Sequence, residues 1–158
     1  RFMIKLVRID YRLLHGQVVF SWTKSQGINR IIVINNEAAT DEFKKMSLNL
    51  AKPTGVKLNI FTVEEALSKM AKVETLKENI MLIFGNTKET LAFCEAYPKI
   101  KEINYGGIPK TNDGKQFGGA IFLNEEEQME AKKLKEMGVK QYMQQIPTSK
   151  SEDLNKLI

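Results

Sequence analysis

The sequence has few of the residues that build metal centres and disulfide bonds. Its 158 residues include one cysteine, Cys94, and one histidine, His15. A lone cysteine cannot form an intramolecular disulfide bond, and one cysteine with one histidine cannot supply the ligands of a structural zinc site. We therefore expect no disulfide bond, no bound metal ion and no other cofactor.

Long hydrophobic runs are also missing. No apolar stretch approaches the roughly 18 residues that cross a bilayer, and the first five residues lack the apolar segment of a secretion signal. We therefore expect a cytoplasmic protein. Because the chain begins with Arg1 and Phe2, we expect Met3 to be the natural first residue and leave the first two residues out of functional arguments.

The composition is that of a folded domain with a moderate positive charge. Hydrophobic residues make up 42% and charged residues 27%, which excludes disordered and collagen-like chains. Lys and Arg number 24 against 19 Asp and Glu, so the net charge of +5 favours an acidic partner or an anionic ligand. No basic stripe with interleaved aromatic residues is present, and we expect no nucleic-acid binding.

Apolar runs alternate with amphipathic segments of helical length. Residues 31–34 and 80–84 are apolar at every position, as in strands that helices cover on both faces. The pattern predicts an α/β domain with a mainly parallel sheet and helices on both faces, and without repeats or linkers it forms a single domain over residues 1–158. The predicted strands are residues 3–9, 30–34, 56–61, 80–84, 102–105, 120–123 and 139–146.

Helical spacing of apolar residues predicts which helix faces enter the core. After residues 40–41, apolar residues recur at helical intervals and are interpreted as a core stripe, which consists of Phe43, Met46, Leu50 and Ala51. Ser149 is expected to start a last short helix that carries Leu154 and Leu157. Cys94 lies in an apolar helical stripe and is expected in the core. Asn86 is expected to cap a helix, and residues 106–119 form an irregular stretch between two strands.

The histidine lies where the first strand leads into a helix. Residues 8–18 read Arg-Ile-Asp-Tyr-Arg-Leu-Leu-His-Gly-Gln-Val, and the helix is expected to begin near Gly16 or Gln17. Ligands of open α/β sheets bind at the carboxyl ends of strands, and a helix start offers unpaired N–H groups. His15 is therefore predicted to lie at an anion site.

Two arginines flank His15 and give this segment its chemistry. The guanidinium groups of Arg8 and Arg12 can form planar, bidentate hydrogen bonds with phosphate oxygens. An imidazole is a good nucleophile near neutral pH, so the setting suits a histidine that receives a phosphoryl group. The alternative is a surface or capping histidine, with both arginines as surface charges paired with Asp10.

The same segment resembles the active-site loop of the mannose-family IIB components of the bacterial sugar phosphotransferase system (PTS). In that family, which includes fructose and sorbose systems, an Arg-Ile-Asp-x-Arg-Leu-x-His-Gly-Gln-Val pattern surrounds the phosphorylated histidine. The resemblance continues in residues 31–35, similar to the family's second strand, and in residues 103–107, similar to its Ile-Asn-x-Gly-Gly segment. Family members often carry Asp where this chain has Tyr11.

The resemblance implies a phosphoryl relay carried out by a PTS IIB domain with a seven-stranded sheet. The IIA component would donate a phosphoryl group to His15, and phospho-His15 would donate it to a sugar held by the membrane components IIC and IID. The chain would act at the inner face of the membrane through IIC and IID. The first strand would lie between the fourth and fifth, so that residues 84–87 and 105–107 flank His15. Mannose, fructose, sorbose and amino sugars all remain as substrates, and a homo-oligomer stays open.

The resemblance also implies roles for individual residues. His15 is expected to be the nucleophile and carrier, Arg12 to clamp the phosphate in the transition state, and Asp10 to orient His15 or Arg12. A turn residue that bonds its own backbone is the alternative for Asp10. The expected phosphate-binding residues are Arg8, Gly16, Gln17, Gly106 and Gly107. A non-catalytic anion-binding or regulatory module with the same loop is the alternative function.

Overall fold

The computed structural model describes residues 3–158. Strands and helices alternate along most of the chain, as predicted. The strands are β1 (Ile4–Asp10), β2 (Arg30–Ile34), β3 (Lys57–Phe61), β4 (Ile80–Phe84), β5 (Glu102–Gly107), β6 (Lys115–Gly118), β7 (Ile121–Leu123), β8 (Lys140–Met143) and β9 (Glu152–Asp153). The helices are α1 (Gly16–Gln26), α2 (Asn36–Ala39), α3 (Glu42–Ala51), α4 (Val63–Val73), α5 (Thr87–Ala96) and α6 (Glu125–Glu136), followed by a 3₁₀ turn at Asn155–Leu157. The alternation is interrupted where α3 follows α2, where β5, β6 and β7 succeed one another, and where β9 follows β8.

Seven strands form one sheet in the order β3-β2-β4-β1-β5-β8-β9. Every neighbouring pair is parallel except β8 and β9, which confirms the predicted α/β fold with a mostly parallel sheet. Two hydrophobic clusters cover its opposite faces. Helices α4, α5 and α6 contribute to one cluster, and α1, α2 and α3 contribute to the other.

The strand order places the loop after β1 between two others. Strand β1 lies between β4 and β5, as the resemblance implied. In a parallel sheet the carboxyl ends of all strands meet at one edge, where ligands bind. The loop at residues 11–15 therefore lies between residue 85, which follows β4, and Gly107 at the end of β5.

Predictions for the C-terminal part of the chain are wrong in three respects. The strand predicted at residues 120–123 forms as β7, but it pairs with β6 in a separate hairpin instead of joining the sheet. Residues 106–119, which were expected to be irregular, include β6. No helix starts at Ser149, because the following residues add β9 to the free edge of β8 and the N–H of Leu154 donates to the carbonyl of Gln141 over 2.9 Å. The hydroxyl of Ser149 instead donates a hydrogen bond to the carbonyl of Ile146. Leu157 lies half-exposed in the 3₁₀ turn.

The predicted core stripe of α3 is also wrong. Phe43, Met46 and Leu50 are 76%, 62% and 82% exposed, while Leu48 is buried against the sheet. Leu48 follows Phe43 by five residues, which turns it about 140° around the helix axis. The spacing of the three residues is helical, but the opposite side of the helix packs.

Other predictions for the helices hold. Cys94 is fully buried, and burial raises the pKa of its thiol to about 12. Asn86 caps α5 by accepting a hydrogen bond from the N–H of Glu89 over 2.8 Å. Within residues 3–158, no helix is both long enough and apolar enough to span a membrane.

The packing of α3 predicts opposite outcomes for two leucines of the same helix. Leu48→Ala should lower the free energy of unfolding by about 2–4 kcal/mol, because it leaves a cavity in the core. Leu50→Ala should change it by about 0.5 kcal/mol or less, because that side chain faces solvent. Urea denaturation of both variants measures this. Equal losses would contradict the packing described for α3.

Candidate functional site

The loop that follows β1 has an unusual backbone. The N–H of Leu13 donates to the carbonyl of Asp10 over 2.9 Å and closes a turn, and Leu13 has a φ of 59°. Left-handed backbone costs a residue with a side chain about 1–2 kcal/mol. Gly16 also has a positive φ, of 41°, which a glycine adopts without this penalty. The loop is therefore held in a specific conformation between β1 and α1.

His15 is the residue that precedes α1. Its backbone is extended, and its carbonyl accepts hydrogen bonds from the N–H groups of Val18 and Val19. The imidazole is exposed and makes no capping hydrogen bond to the helix. The side chain is therefore accessible at the surface.

The first turn of α1 creates a positive electrostatic potential around His15. The N–H groups of Gly16 and Gln17 have no acceptor within the helix, because the first turn of any helix lacks them. The positive end of the helix dipole also lies here, and no acidic residue occupies the first turn. A negative group on His15 would therefore be stabilised.

Asp10 is the centre of the charged network below the loop. Its carboxylate is 1% exposed and accepts hydrogen bonds from both arginines. Arg12 binds it in a bidentate manner, with Nε 3.0 Å from Oδ1 and Nη2 3.0 Å from Oδ2. The backbone N–H of Arg12 also donates to Oδ1 over 3.0 Å. Asp10 therefore contacts both the local backbone and the side chain of Arg12, and its role in a reaction stays a prediction.

Arg12 is positioned but not saturated. Its side chain is 24% exposed, and within residues 3–158 Nη1 makes no hydrogen bond. The hydrogen bond with Asp10 raises the pKa of the guanidinium, which stays charged. Arg12 thus keeps a charged donor for a ligand in the same loop that carries His15.

Arg8 lies beneath the loop rather than at the surface. It is 2% exposed, and Nη1 donates to Oδ1 of Asn104 over 2.6 Å and to the carbonyl of Gln144 over 3.1 Å. Nη2 donates to Asp10 over 3.1 Å and to the carbonyl of Gln145 over 3.0 Å. Burial lowers the pKa of Arg8, and Asp10 opposes this effect. Four of its donors are thus used within the fold.

Trp22 of α1 completes the surroundings of Arg8. The guanidinium carbon lies 5.4 Å from the ring centroid of Trp22, and the indole N–H donates to the carbonyl of Gln145 over 2.8 Å. Arg8 and Trp22 therefore tie the segment at residues 144–145 to β1 and α1.

The two glycines at the end of β5 make room for the arginines. A Cβ on Gly106 would lie 2.1 Å from Cζ of Arg8. A Cβ on Gly107 would lie 3.3 Å from Oδ1 of Asp10 and 3.4 Å from Nη2 of Arg12. The lack of a side chain at both positions thus leaves space for these charged groups, which the sequence did not indicate. The expected contact of the two glycines with a phosphate stays a prediction.

The predicted site residues form two groups in one region. Asp10, Arg8 and Arg12 form a single hydrogen-bonded cluster beside the two glycines, whereas His15 starts α1 with Gly16 and Gln17. Asn104, Trp22 and the carbonyls of residues 144–145 were missed as supports. Only Asn104 had a signal, because it lies in the segment 103–107 that resembles the family. Within the described chain no group of three His, Cys, Asp or Glu residues could hold a metal ion.

A family model, proteins of related sequence and a solved structure match this chain. The model of the family described as "PTS system sorbose subfamily IIB component" matches residues 4–158. The chain is 33% identical over 159 residues to the PTS fructose-specific EIIB component of Bacillus subtilis (strain 168), covering 98% of this chain and 95% of that protein. It is 32% identical over 146 residues to the PTS mannose-specific EIIAB component of Escherichia coli (strain K12), covering 92% of this chain and 45% of that protein.

A solved structure is similar throughout. The crystal structure of the IIBSor domain of the sorbose permease from Klebsiella pneumoniae superimposes with a TM-score of 0.91 and 28% sequence identity. The superposition covers 98% of this chain and 95% of that domain.

The contact between Gly106 and Arg8 predicts an intolerant position. Gly106→Ala should lower the free energy of unfolding by about 2–4 kcal/mol, because the new methyl group displaces a buried, paired guanidinium. The matched control is Gly119→Ala, where a Cβ meets nothing within 4 Å and the effect should be about 0.5 kcal/mol or less. Thermal and urea unfolding measure both variants, and a Gly106→Ala variant as stable as the control would contradict this packing.

Proposed function

The chain belongs to the sorbose subfamily of IIB components of the sugar phosphotransferase system, and we propose that it carries a phosphoryl group on His15. The observation that supports this most is the loop itself. It combines one exposed histidine at a helix start with an arginine that keeps a free Nη1 donor. The proposal treats residues 1–158 as one IIB domain.

The first step transfers a phosphoryl group from the IIA component. A neutral imidazole nitrogen of His15 attacks the phosphorus of a phosphohistidine on IIA. The new N–P bond forms as the N–P bond of the donor breaks, and the donor imidazole leaves with the electron pair. Each ring keeps the proton on its other nitrogen, so the step balances without a proton acceptor. The EIIAB relative, of which this chain matches 45%, supports IIA as the donor.

The second step passes the phosphoryl group to a sugar held by the membrane components IIC and IID. A sugar hydroxyl oxygen attacks the phosphorus, the N–P bond to His15 breaks, and the hydroxyl proton passes to water. This step requires the chain to meet IIC and IID at the cytoplasmic face of the membrane, where we place it.

The surrounding residues divide the work of stabilising charge. Negative charge spreads over the equatorial oxygens during phosphoryl transfer, and Nη1 of Arg12 is the free charged donor in the loop. The N–H groups of Gly16 and Gln17 would bind the phosphoryl group once it is on His15. Asp10 fixes Arg12, and Arg8 acts as a positioning residue because four of its N–H donors already bind groups within the fold.

The proposal predicts a single modified residue. Incubation with phosphoenolpyruvate, the general phosphotransferase proteins and a matching IIA should place one phosphoryl group on the chain, and the product should be acid-labile and alkali-stable. Intact-protein mass spectrometry measures it, and His15→Ala should abolish it. Equal labelling of His15→Ala would show that another residue is the carrier. A wild-type chain that takes no phosphoryl group would favour the non-catalytic anion-binding module.

The proposal also predicts that Arg12 cannot be replaced by lysine. Arg12→Lys keeps the charge but loses the planar donor set, which should cost about 3 kcal/mol of transition-state stabilisation, or roughly a hundredfold in rate. The free energy of unfolding should change by only about 1 kcal/mol or less.

Arg30 provides a matched control for this variant. Arg30 binds Glu78 through Nε and Nη2 over 2.6 and 3.3 Å, far along the chain from the loop. Arg30→Lys loses the same kind of paired contact and should leave the transfer rate unchanged. Quenched-flow assays at saturating phospho-IIA measure the rate of phosphoryl transfer in both variants. Wild-type rates for Arg12→Lys would remove Arg12 from the mechanism.

A further inference from the structure

We infer that Tyr11 is a positioning residue that holds the guanidinium of Arg12 in the geometry for phosphoryl transfer. The inference rests on the proposed function. It assigns a role to a residue that the phosphoryl relay itself does not require. Tyr11 is neither a nucleophile nor part of the hydrogen-bonded cluster around Asp10. Its position beside Arg12 is what suggests a role.

The guanidinium of Arg12 is restrained in two directions. Two N–H groups on one edge bind the carboxylate of Asp10, which fixes that edge. The ring of Tyr11 lies beside the guanidinium, with 5.5 Å between Cζ of Arg12 and the ring centroid. Asp10 therefore holds one edge of the guanidinium, and the ring of Tyr11 provides a second contact to the group. Nη1 remains available.

Tyr11 is itself held in place from its backbone. Its N–H donates to the carbonyl of Gly107 over 3.0 Å, which ties it to the end of β5. Its Cε1 atom lies 3.4 Å from the point that a Cβ on Gly107 would occupy, so the ring lies close to this glycine. Gly107 thus accommodates both the ring of Tyr11 and the guanidinium of Arg12.

The exposure of Tyr11 argues against a role in the core. Tyr11 is 51% exposed, so its ring adds little buried apolar area. A cation–π contact at an exposed site contributes about 0.5–1 kcal/mol, which corresponds to roughly a twofold to fivefold effect on a rate. The experiment must therefore resolve a twofold to fivefold change in the rate of phosphoryl transfer.

Kinetics of phosphoryl transfer to His15 from phospho-IIA provide the first test. At saturating donor, Tyr11→Ala should lower the first-order rate about twofold to fivefold, and Tyr11→Phe, which keeps the ring, should restore it. In an Arg12→Gln background, Tyr11→Ala should have no effect, because no cation remains to be held. Phe20→Ala is the matched control, since Phe20 is a similarly exposed aromatic residue of α1 at 49%.

Two kinetic results would overturn the inference. If Tyr11→Ala raises KM for phospho-IIA and leaves the first-order rate unchanged, the ring contacts the partner instead of positioning Arg12. If Tyr11→Ala slows transfer equally in the Arg12→Gln background, the effect does not pass through Arg12.

A spectroscopic measurement separates this inference from the proposed function. In ¹⁵N-labelled protein, the Nε–H resonance of Arg12 is assigned by its loss in Arg12→Gln. Tyr11→Ala should shift and broaden that resonance, and Tyr11→Phe should leave it sharp. An unchanged resonance in Tyr11→Ala would overturn the inference. If the wild-type chain accepts no phosphoryl group, the proposed function fails, and this resonance alone still decides whether Tyr11 holds Arg12.

Discussion

A buried carboxylate between two guanidinium groups organises this end of the molecule. Asp10 is 1% exposed and binds Arg8 on one side and Arg12 on the other. Removal of one partner from a buried ion pair typically costs about 3–5 kcal/mol, because it leaves an uncompensated charge. Arg8 is buried, and Asp10 provides the negative charge that compensates its guanidinium. The two arginines and one aspartate leave a net positive charge next to the loop that carries His15.

Within this short segment, a buried residue supports the fold and more exposed residues are available to a ligand. Arg8 reaches inward to Asn104 and to the carbonyls of residues 144–145, so it joins β1 to β5 and to the segment after β8. Arg12 lies nearer the surface with Nη1 free, and His15 is exposed at the start of α1. Leu13 accepts a left-handed backbone between them, and strained backbone of this kind concentrates at functional sites. A rigid support beneath an accessible histidine suits the proposed role, in which His15 would present one phosphoryl group to two partners in turn.

Periodicity in the sequence predicted the centre of the sheet better than its margins. The runs at residues 31–34 and 80–84 are apolar at every position because helices cover both faces, and they form β2 and β4 as predicted. Strand β9 has only two residues, which is too short for any periodic pattern, and it forms because β8 has a free edge. Helix α3 buries a single large residue, Leu48, so the spacing of its other apolar residues gave the wrong face.

The site shows the same division. The resemblance of residues 8–18 indicated His15, Arg12 and Asp10, and the structure brings Asp10 and Arg12 into direct contact. The burial of Arg8 depends on carbonyls more than 130 residues away along the chain, which local spacing cannot reveal. The space that Gly106 leaves for Arg8 is hidden for the same reason.

The first-order rate of phosphoryl transfer to His15 in Asp10→Asn tests the central claim most directly. This change keeps the size of the side chain and one acceptor oxygen. It removes the charge and replaces the other carboxylate oxygen with an amide group that cannot accept, so Arg12 loses its bidentate partner. Measured on the folded fraction of the protein at saturating phospho-IIA, the rate should fall roughly a hundredfold, as expected when a transition-state contact is lost. A wild-type rate in folded Asp10→Asn would contradict the claim that Asp10 organises the site.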